Sequence, residues 1–214
     1  MKTLNSRRAV ITQAALRRQE QKQHRQEGIL KAAFDVFAAH GYEAARIDEV
    51  AKKAGIAKGT IYLYFRDKDH LFRAVVNNVV QIRSGTQTES SQGAGQQLLR
   101  ALLSRMYANV VRSDEVRSII RMLVAESGRF PQLAEIYYQE VVVPGLKAVQ
   151  QVLMRGVKDG EFRKTKALDF PQLIFGPALV AMLWQLLFAK RHPLDVDAYL
   201  KAHLEFVLRS LGRD

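Results

Sequence analysis

Fourteen consecutive residues, Gly55-Ile-Ala-Lys-Gly-Thr-Ile-Tyr-Leu-Tyr-Phe-Arg-Asp-Lys68, hold the chain's most informative chemistry. The Lys58 ammonium can donate to guanine O6 and N7 or to a phosphate, and Thr60 offers a hydroxyl together with a methyl suited to thymine. Gly59 removes a side chain where a backbone could approach a duplex closely. The phenols of Tyr62 and Tyr64 can bond phosphate oxygens, and Lys68 can pair with another phosphate. Leu63 stands between the tyrosines and completes the candidate set. Groups of these types suit contact with a polyanion and with base edges. They do not make or break bonds.

Other chemistries find little support. The five histidines, His24, His40, His70, His192 and His203, form no ligand pair of the His-x-x-x-His kind, so no metal is expected. With no cysteine, thiolate nucleophiles, disulfides and Cys-based zinc or iron–sulfur sites are excluded. There is no Gly-x-Ser-x-Gly elbow, and Gly55–Thr60 lacks both the residue order and the preceding strand of a phosphate-binding loop. The chain reads as a non-enzyme without a cofactor. Its short apolar N-terminal stretches are interrupted by Arg7-Arg8 and Arg17-Arg18, unlike a signal peptide, and the expected location is the cytoplasm.

The elements that must position the Gly55–Lys68 run follow from periodicity. Ile29, Ala33, Val36 and Phe37 recur at spacings of three and four, giving a helix over about 26–40, with Gly41 suited to a left-handed stop. A short helix is expected over about Ile47–Ala54, with Asp48 and Glu49 in its first turn, where the helix dipole favours acid. Gly55 ends it, and a third helix runs from about two residues later to about Phe65. Ile61 and Phe65, four apart, face a small core. Two short helices joined by a tight glycine turn make a helix-turn-helix. A fourth helix follows over about Lys68–Arg83.

Residues 84–96 read as a loop. Beyond it the pattern is helical to the end: Gln97–Val111, a helix capped by Asp114, a long run from Pro131 to about Gly160 broken near Pro144, an apolar helix capped by Asp169 and reaching Arg191, and a last helix from Asp195 to Leu211. Nothing alternates with period two. The fold class is all-α, about nine helices. The apolar stretch Leu173–Ala189 contains Gly176-Pro177 and reads as a buried or interface helix rather than a membrane span.

Charge agrees with a polyanionic partner. The chain carries 33 Lys+Arg against 21 Asp+Glu, a net +12. Positions 1–83 hold 16 basic and 8 acidic residues, so +8 of this falls in the first 83 residues. Neutralised phosphates release counterions, so a polyanion such as double-stranded DNA is a natural partner. Residues 1–25 form a Gln- and Arg-rich leader that reads as a basic N-terminal arm.

The register of Gly41-Tyr42, Glu49-Val50-Ala51, Ala54-Gly55-Ile56, Gly59-Thr60-Ile61-Tyr62, Tyr64-Phe65, Lys68-Asp69 and Leu71 resembles the TetR family of bacterial transcriptional regulators. The likeness spans about residues 26–75. It implies a helix-turn-helix DNA-binding domain over 26–83 and a larger helical domain over 84–214 for effector binding and dimerisation. It also implies a homodimer formed through the last two helices, a near-palindromic operator, and release of DNA by a small-molecule effector. Two positions depart from the family pattern. Arg46 and Ala57 stand where a hydroxyl residue normally caps the second and third helices. A lost cap costs ~1 kcal/mol. Arg46 can still reach a phosphate, whereas Ala57 cannot.

Met106, Tyr107, Met122, Phe130, Tyr137, Tyr138, Phe175 and Trp184 are candidate effector contacts, since methionines and aromatics adapt to apolar or amphipathic ligands. The alternative reading is a non-enzymatic helical adaptor or an architectural DNA-binding protein without effector.

Overall fold

The structure, a computed structural model, describes residues 2–84 and 94–212. The stretch 85–93, most of the expected loop, lies outside the described residues. The chain divides into two compact units, one ending at Val75 and the other beginning at Val76.

In the first unit, α1 (Lys2–Ala44) is broken at Gly41, and α2 (Ile47–Ala54) and α3 (Lys58–Tyr62) follow. The unit closes with the first turns of α4 (Lys68–Ser84). Because α1 begins at Lys2, positions 2–25 are helix continuous with the one expected from residue 26. Gly41 has a positive φ of 77° but a ψ of 177°. That is an extended mirror-image conformation, not the left-handed helical one, and glycine essentially alone adopts it. It turns the chain sharply enough for Tyr42 to fold back under α1. There Tyr42 stacks on Phe37 at 5.9 Å, and Phe72 meets both rings edge-on at 5.5 and 5.6 Å. Ile29, Ala33, Val36, Val50, Ala51, Ile61, Phe65 and Leu71 complete this core. The expected inward face of α1 and the Ile61/Phe65 pair are therefore those observed.

In the second unit, α5 (Gly95–Met106) passes through a π turn (Tyr107–Val111) to α6 (Asp114–Glu126). Next come α7 (Pro131–Tyr137), a second π turn (Tyr138–Val142) and α8 (Val143–Lys158). A 3₁₀ turn (Lys166–Asp169) precedes α9 (Gln172–Leu187) and α10 (Val196–Leu211). Leu99, Leu103, Val149, Leu153, Phe162, Ile174, Val207 and Leu211 form its core. Among the described residues there is no strand, only one isolated bridge between Phe162 and Gly212. No helix among them is long and apolar enough to cross a membrane.

Several helix ends differ from expectation, each for a local reason. Ser113, not Asp114, caps α6, because its Oγ accepts the Val116 N–H at 3.1 Å. Asp169 closes the 3₁₀ turn, and Pro171 precedes α9, which ends at Leu187. Pro144 falls at the start of α8, immediately after the π turn, so its missing N–H is absorbed where the hydrogen-bond register changes. Helix α9 runs on through Pro177. Ala94 cannot cap α5, and the Glu161 carboxylate does so from a distance. It accepts the Gly95 and Gln96 N–H groups at 3.0 and 2.9 Å.

Candidate nucleic-acid interface

The connection between α2 and α3 is built by Gly55. Its φ of 68° and ψ of 33° are left-handed helical. This conformation lets the Ile56 N–H return to the Ala51 carbonyl at 3.0 Å and the Gly55 N–H to the Lys52 carbonyl at 3.2 Å, closing the end of α2. Helix α3 then begins at Lys58 and ends at Tyr62, shorter than the expected run to Phe65. The Tyr64 and Phe65 N–H groups both return to the Ile61 carbonyl at 2.9 Å, which closes the helix as a turn. Ile61 and Phe65, 1% and 2% exposed, pin this five-residue helix to the core.

The opposite face is open. Tyr62 is half-exposed and Leu63 is 82% exposed. A Cβ placed on Gly59 would meet nothing within 4 Å, so the surface beside it is unobstructed. Thr60 and Tyr64 are half-buried at the edge of this face. Neither Arg46 nor Ala57 caps its helix with a side chain.

Two of the expected cations share one carboxylate. Lys58 Nζ lies 2.6 Å from Asp48 Oδ1, and the Arg46 guanidinium lies 3.6 Å from Asp48 Oδ2. The hydrogen bond from Lys58 holds the Asp48 carboxyl below its usual value, and Asp48 in turn raises Lys58. Sequence reasoning placed Asp48 only as an acid suited to the α2 dipole. Its partnership with Lys58, ten residues on, depends on the angle between the two helices.

Lys68 faces inward as much as outward. Its ammonium donates to the Glu43 carbonyl at 3.0 Å and lies 4.7 Å from the Tyr42 ring centroid, while the Tyr42 hydroxyl donates to Asp69. Lys68 thus ties the end of α1 to the start of α4. Asp67 caps α4 by accepting the His70 N–H at 2.7 Å.

In the second unit the candidate effector contacts fall in different settings. Tyr107 and Met122 are buried, and Met106 and Phe175 pack against the core. Phe130 lies under the Arg129 guanidinium at 5.5 Å. Burial pushes the Tyr137 hydroxyl up to about 12, while Tyr138 is half-exposed. Trp184 packs edge-on against Phe188, and its Nε1 donates to the His192 carbonyl at 2.7 Å. None of the eight lines the open groove formed by Arg100, Lys201, Leu204 and Leu208. One partner was missed: His203, 4% exposed, sits with Nδ1 3.0 Å from the Tyr107 hydroxyl. Ninety-six residues separate the two, so no local pattern could have joined them.

A short helix pinned by two apolar residues, set after a glycine turn and presenting cations, tyrosines and an open backbone, defines a helix-turn-helix DNA-binding protein. Residues 29–75 match the bacterial regulatory proteins of the TetR family, and residues 97–206 match the C-terminal domain of AefR-like transcriptional repressors. The chain belongs to the TetR family and is a DNA-binding transcriptional repressor. It is 25% identical over 159 residues to the fatty acid metabolism regulator protein of Bacillus subtilis, covering 73% of this chain and 81% of that one. With the repressor KstR2 of Rhodococcus jostii it shares 27% over 200 residues, covering 89% and 93%. The fold is similar to that of the B. subtilis regulator FadR solved with stearoyl-CoA, with a TM-score of 0.67, 21% identity and coverage of 86% and 98%.

Proposed function

We propose that the protein acts in the cytoplasm as a homodimer that holds a near-palindromic operator and lets go when a small apolar or amphipathic effector binds its second unit. The observation that carries the reading is the open face of α3 at the end of the glycine turn. Lys58 and Thr60 read base edges, Gly59 and Leu63 allow close apolar approach, and Arg46, Tyr62, Tyr64 and Lys68 fix the register on phosphates.

Dimerisation through α9 and α10 is supported by the apolar surface these helices leave uncovered. Helix α9 buries Ile174, Ala178, Ala181 and Met182 within its own unit, yet Leu173, Leu179, Val180 and Leu187 are each more than half exposed, as is Phe206 of α10. A helix apolar on both sides needs a second partner. A two-fold dimer would set two recognition helices about one DNA turn apart.

For the effector, a long-chain acyl compound is the first choice, supported by the acyl-CoA complex of the B. subtilis relative and by the methionine and aromatic content of the second unit. An effector releases DNA only if it prefers one state over the other.

Selection from a random duplex library tests the first part. A palindromic consensus bound by a dimer in gel filtration supports it, and failure to enrich any sequence with the dimer intact overturns it. A panel of free fatty acids and acyl-CoAs, read by release of the selected duplex, tests the second.

A further inference from the structure

The first residue of the recognition helix is engaged before any DNA arrives. Lys58 Nζ sits 2.6 Å from Asp48 Oδ1, and the other oxygen of the same carboxylate faces Arg46 at 3.6 Å. Both cations belong to the proposed interface, and all three side chains are roughly half or more exposed, so the pairing is made at the surface that would meet DNA. Elsewhere in the same unit Asp35 serves Lys31 and Lys53 in a similar way, at 3.5 and 3.3 Å, but neither of those lysines lies on α3.

We infer that Asp48 is a specificity-determining residue of this interface: it neutralises Lys58 and Arg46 towards phosphate while aiming the Lys58 ammonium at base edges. The inference rests on the DNA-contact reading of α3. An ammonium has three donors and no acceptor. Held by Asp48 through one, Lys58 keeps two, the number that guanine O6 and N7 accept. Binding to arbitrary DNA draws on net charge, because each neutralised phosphate releases counterions. A lysine already carrying a carboxylate contributes little to that term. Asp48 therefore weakens attachment to arbitrary sequence more than attachment to the operator, and widens the ratio between them.

The test compares the full-length wild type, Asp48→Asn, Asp48→Glu and Asp35→Asn on the duplex selected by the wild type and on a scrambled duplex of equal length, across a salt series. Asp48→Asn is expected to bind scrambled DNA about three- to tenfold more tightly at about 0.1 M salt. Its log K against log salt slope should steepen by about 0.9, one extra phosphate contact. Operator affinity should stay level or fall, so the specificity ratio drops. Asp48→Glu keeps the charge and should keep the wild-type ratio. Asp35→Asn makes the same change in net charge away from α3 and should leave the ratio unchanged.

An equal gain on both duplexes, an equal gain from Asp35→Asn, or no change in Asp48→Asn overturns the inference. So does persistence of the Asp48→Asn effect in a background that also carries Lys58→Ala and Arg46→Ala, since Asp48 would then not be acting through these two cations. If the wild type itself binds neither duplex, it is the DNA-contact reading that falls. Circular dichroism of each variant confirms that the helices are retained.

Discussion

Gly41 and Gly55 both carry a positive φ, yet they should respond differently to substitution. Gly55, at φ 68° and ψ 33°, lies in the left-handed helical region, and a Cβ there meets nothing within 4 Å. Alanine at this position costs ~1–2 kcal/mol of backbone strain. Reduced freedom of the unfolded chain offsets ~0.4–1 kcal/mol of it, leaving a net loss of about 1 kcal/mol. Asparagine enters the region more easily and should lose less. Gly41, at φ 77° and ψ 177°, lies where asparagine gains no such relief. Alanine and asparagine should both cost about 2–3 kcal/mol there. The tryptophan lies in the other unit, so amide hydrogen exchange at the buried positions Val50, Ile61 and Phe65 is the assay of choice. One kcal/mol corresponds to about fivefold faster exchange and 2–3 kcal/mol to about 30- to 150-fold. If Gly41→Asn regains protection as Gly55→Asn does, or if Gly41→Ala exchanges no faster than Gly55→Ala, the conformational argument fails.

Three further outcomes are expected. Gly156→Ala places a Cβ 2.1 Å from Phe162 Cδ2, in a ring that is 1% exposed, so overpacking of about 2–3 kcal/mol should exceed the ~1 kcal/mol gained in helix propensity. Thermal unfolding followed by Trp184 fluorescence should show a lower midpoint, partly restored by adding Phe162→Leu; a raised midpoint would contradict the packing described. Burial lowers His203 below its usual value of 6.5, so below that pH the unfolded chain binds the extra proton and stability falls as the pH drops through 6.5. His203→Leu should flatten this part of the stability profile, measured as urea midpoints between about pH 5 and 7.5; an unchanged slope would remove His203 as its source. Tyr62→Phe should weaken binding to all duplexes alike, while Thr60→Ala should change the preferred base at a defined operator position in a repeated selection. Identical effects from both would contradict the division into phosphate and base contacts.

What could be read from the sequence is what depends on near neighbours. Ile47–Ala54 and the Gly55 stop follow from spacing and from one residue's conformational freedom, and the structure reproduces both. The cap at α6 was nearly legible: Ser113 and Asp114 are adjacent residues of capping type, and only the hydrogen bond to Val116 distinguishes them. The π turns at Tyr107 and Tyr138 were not legible, because a step of five rather than four leaves the apolar periodicity almost unchanged over a single turn. The pairings made by candidate site residues, Lys58 with Asp48, Lys68 with Glu43 and Tyr107 with His203, join residues 10, 25 and 96 positions apart. They are set by the angles at which helices cross, which no local pattern encodes.

The uncapped helix starts bring these two levels together. Arg46 and Ala57 leave α2 and α3 without a side-chain cap, a deficit of ~1 kcal/mol at each end. Helix α2 has a local remedy, since Asp48 and Glu49 set negative charge in its first turn. Helix α3 has none: it is five residues long with no acid in its first turn, far below the length at which a helix holds by itself in water. What keeps it formed is tertiary, the burial of Ile61 and Phe65 against the first unit's core. Its outward side chains are therefore released from any duty to stabilise the helix. Gly59, a poor helix former, and Leu63, an apolar residue left in solvent, are tolerated at positions where local stability alone would disfavour them. Such an anchoring leaves the composition of this face free to answer to a partner rather than to the fold.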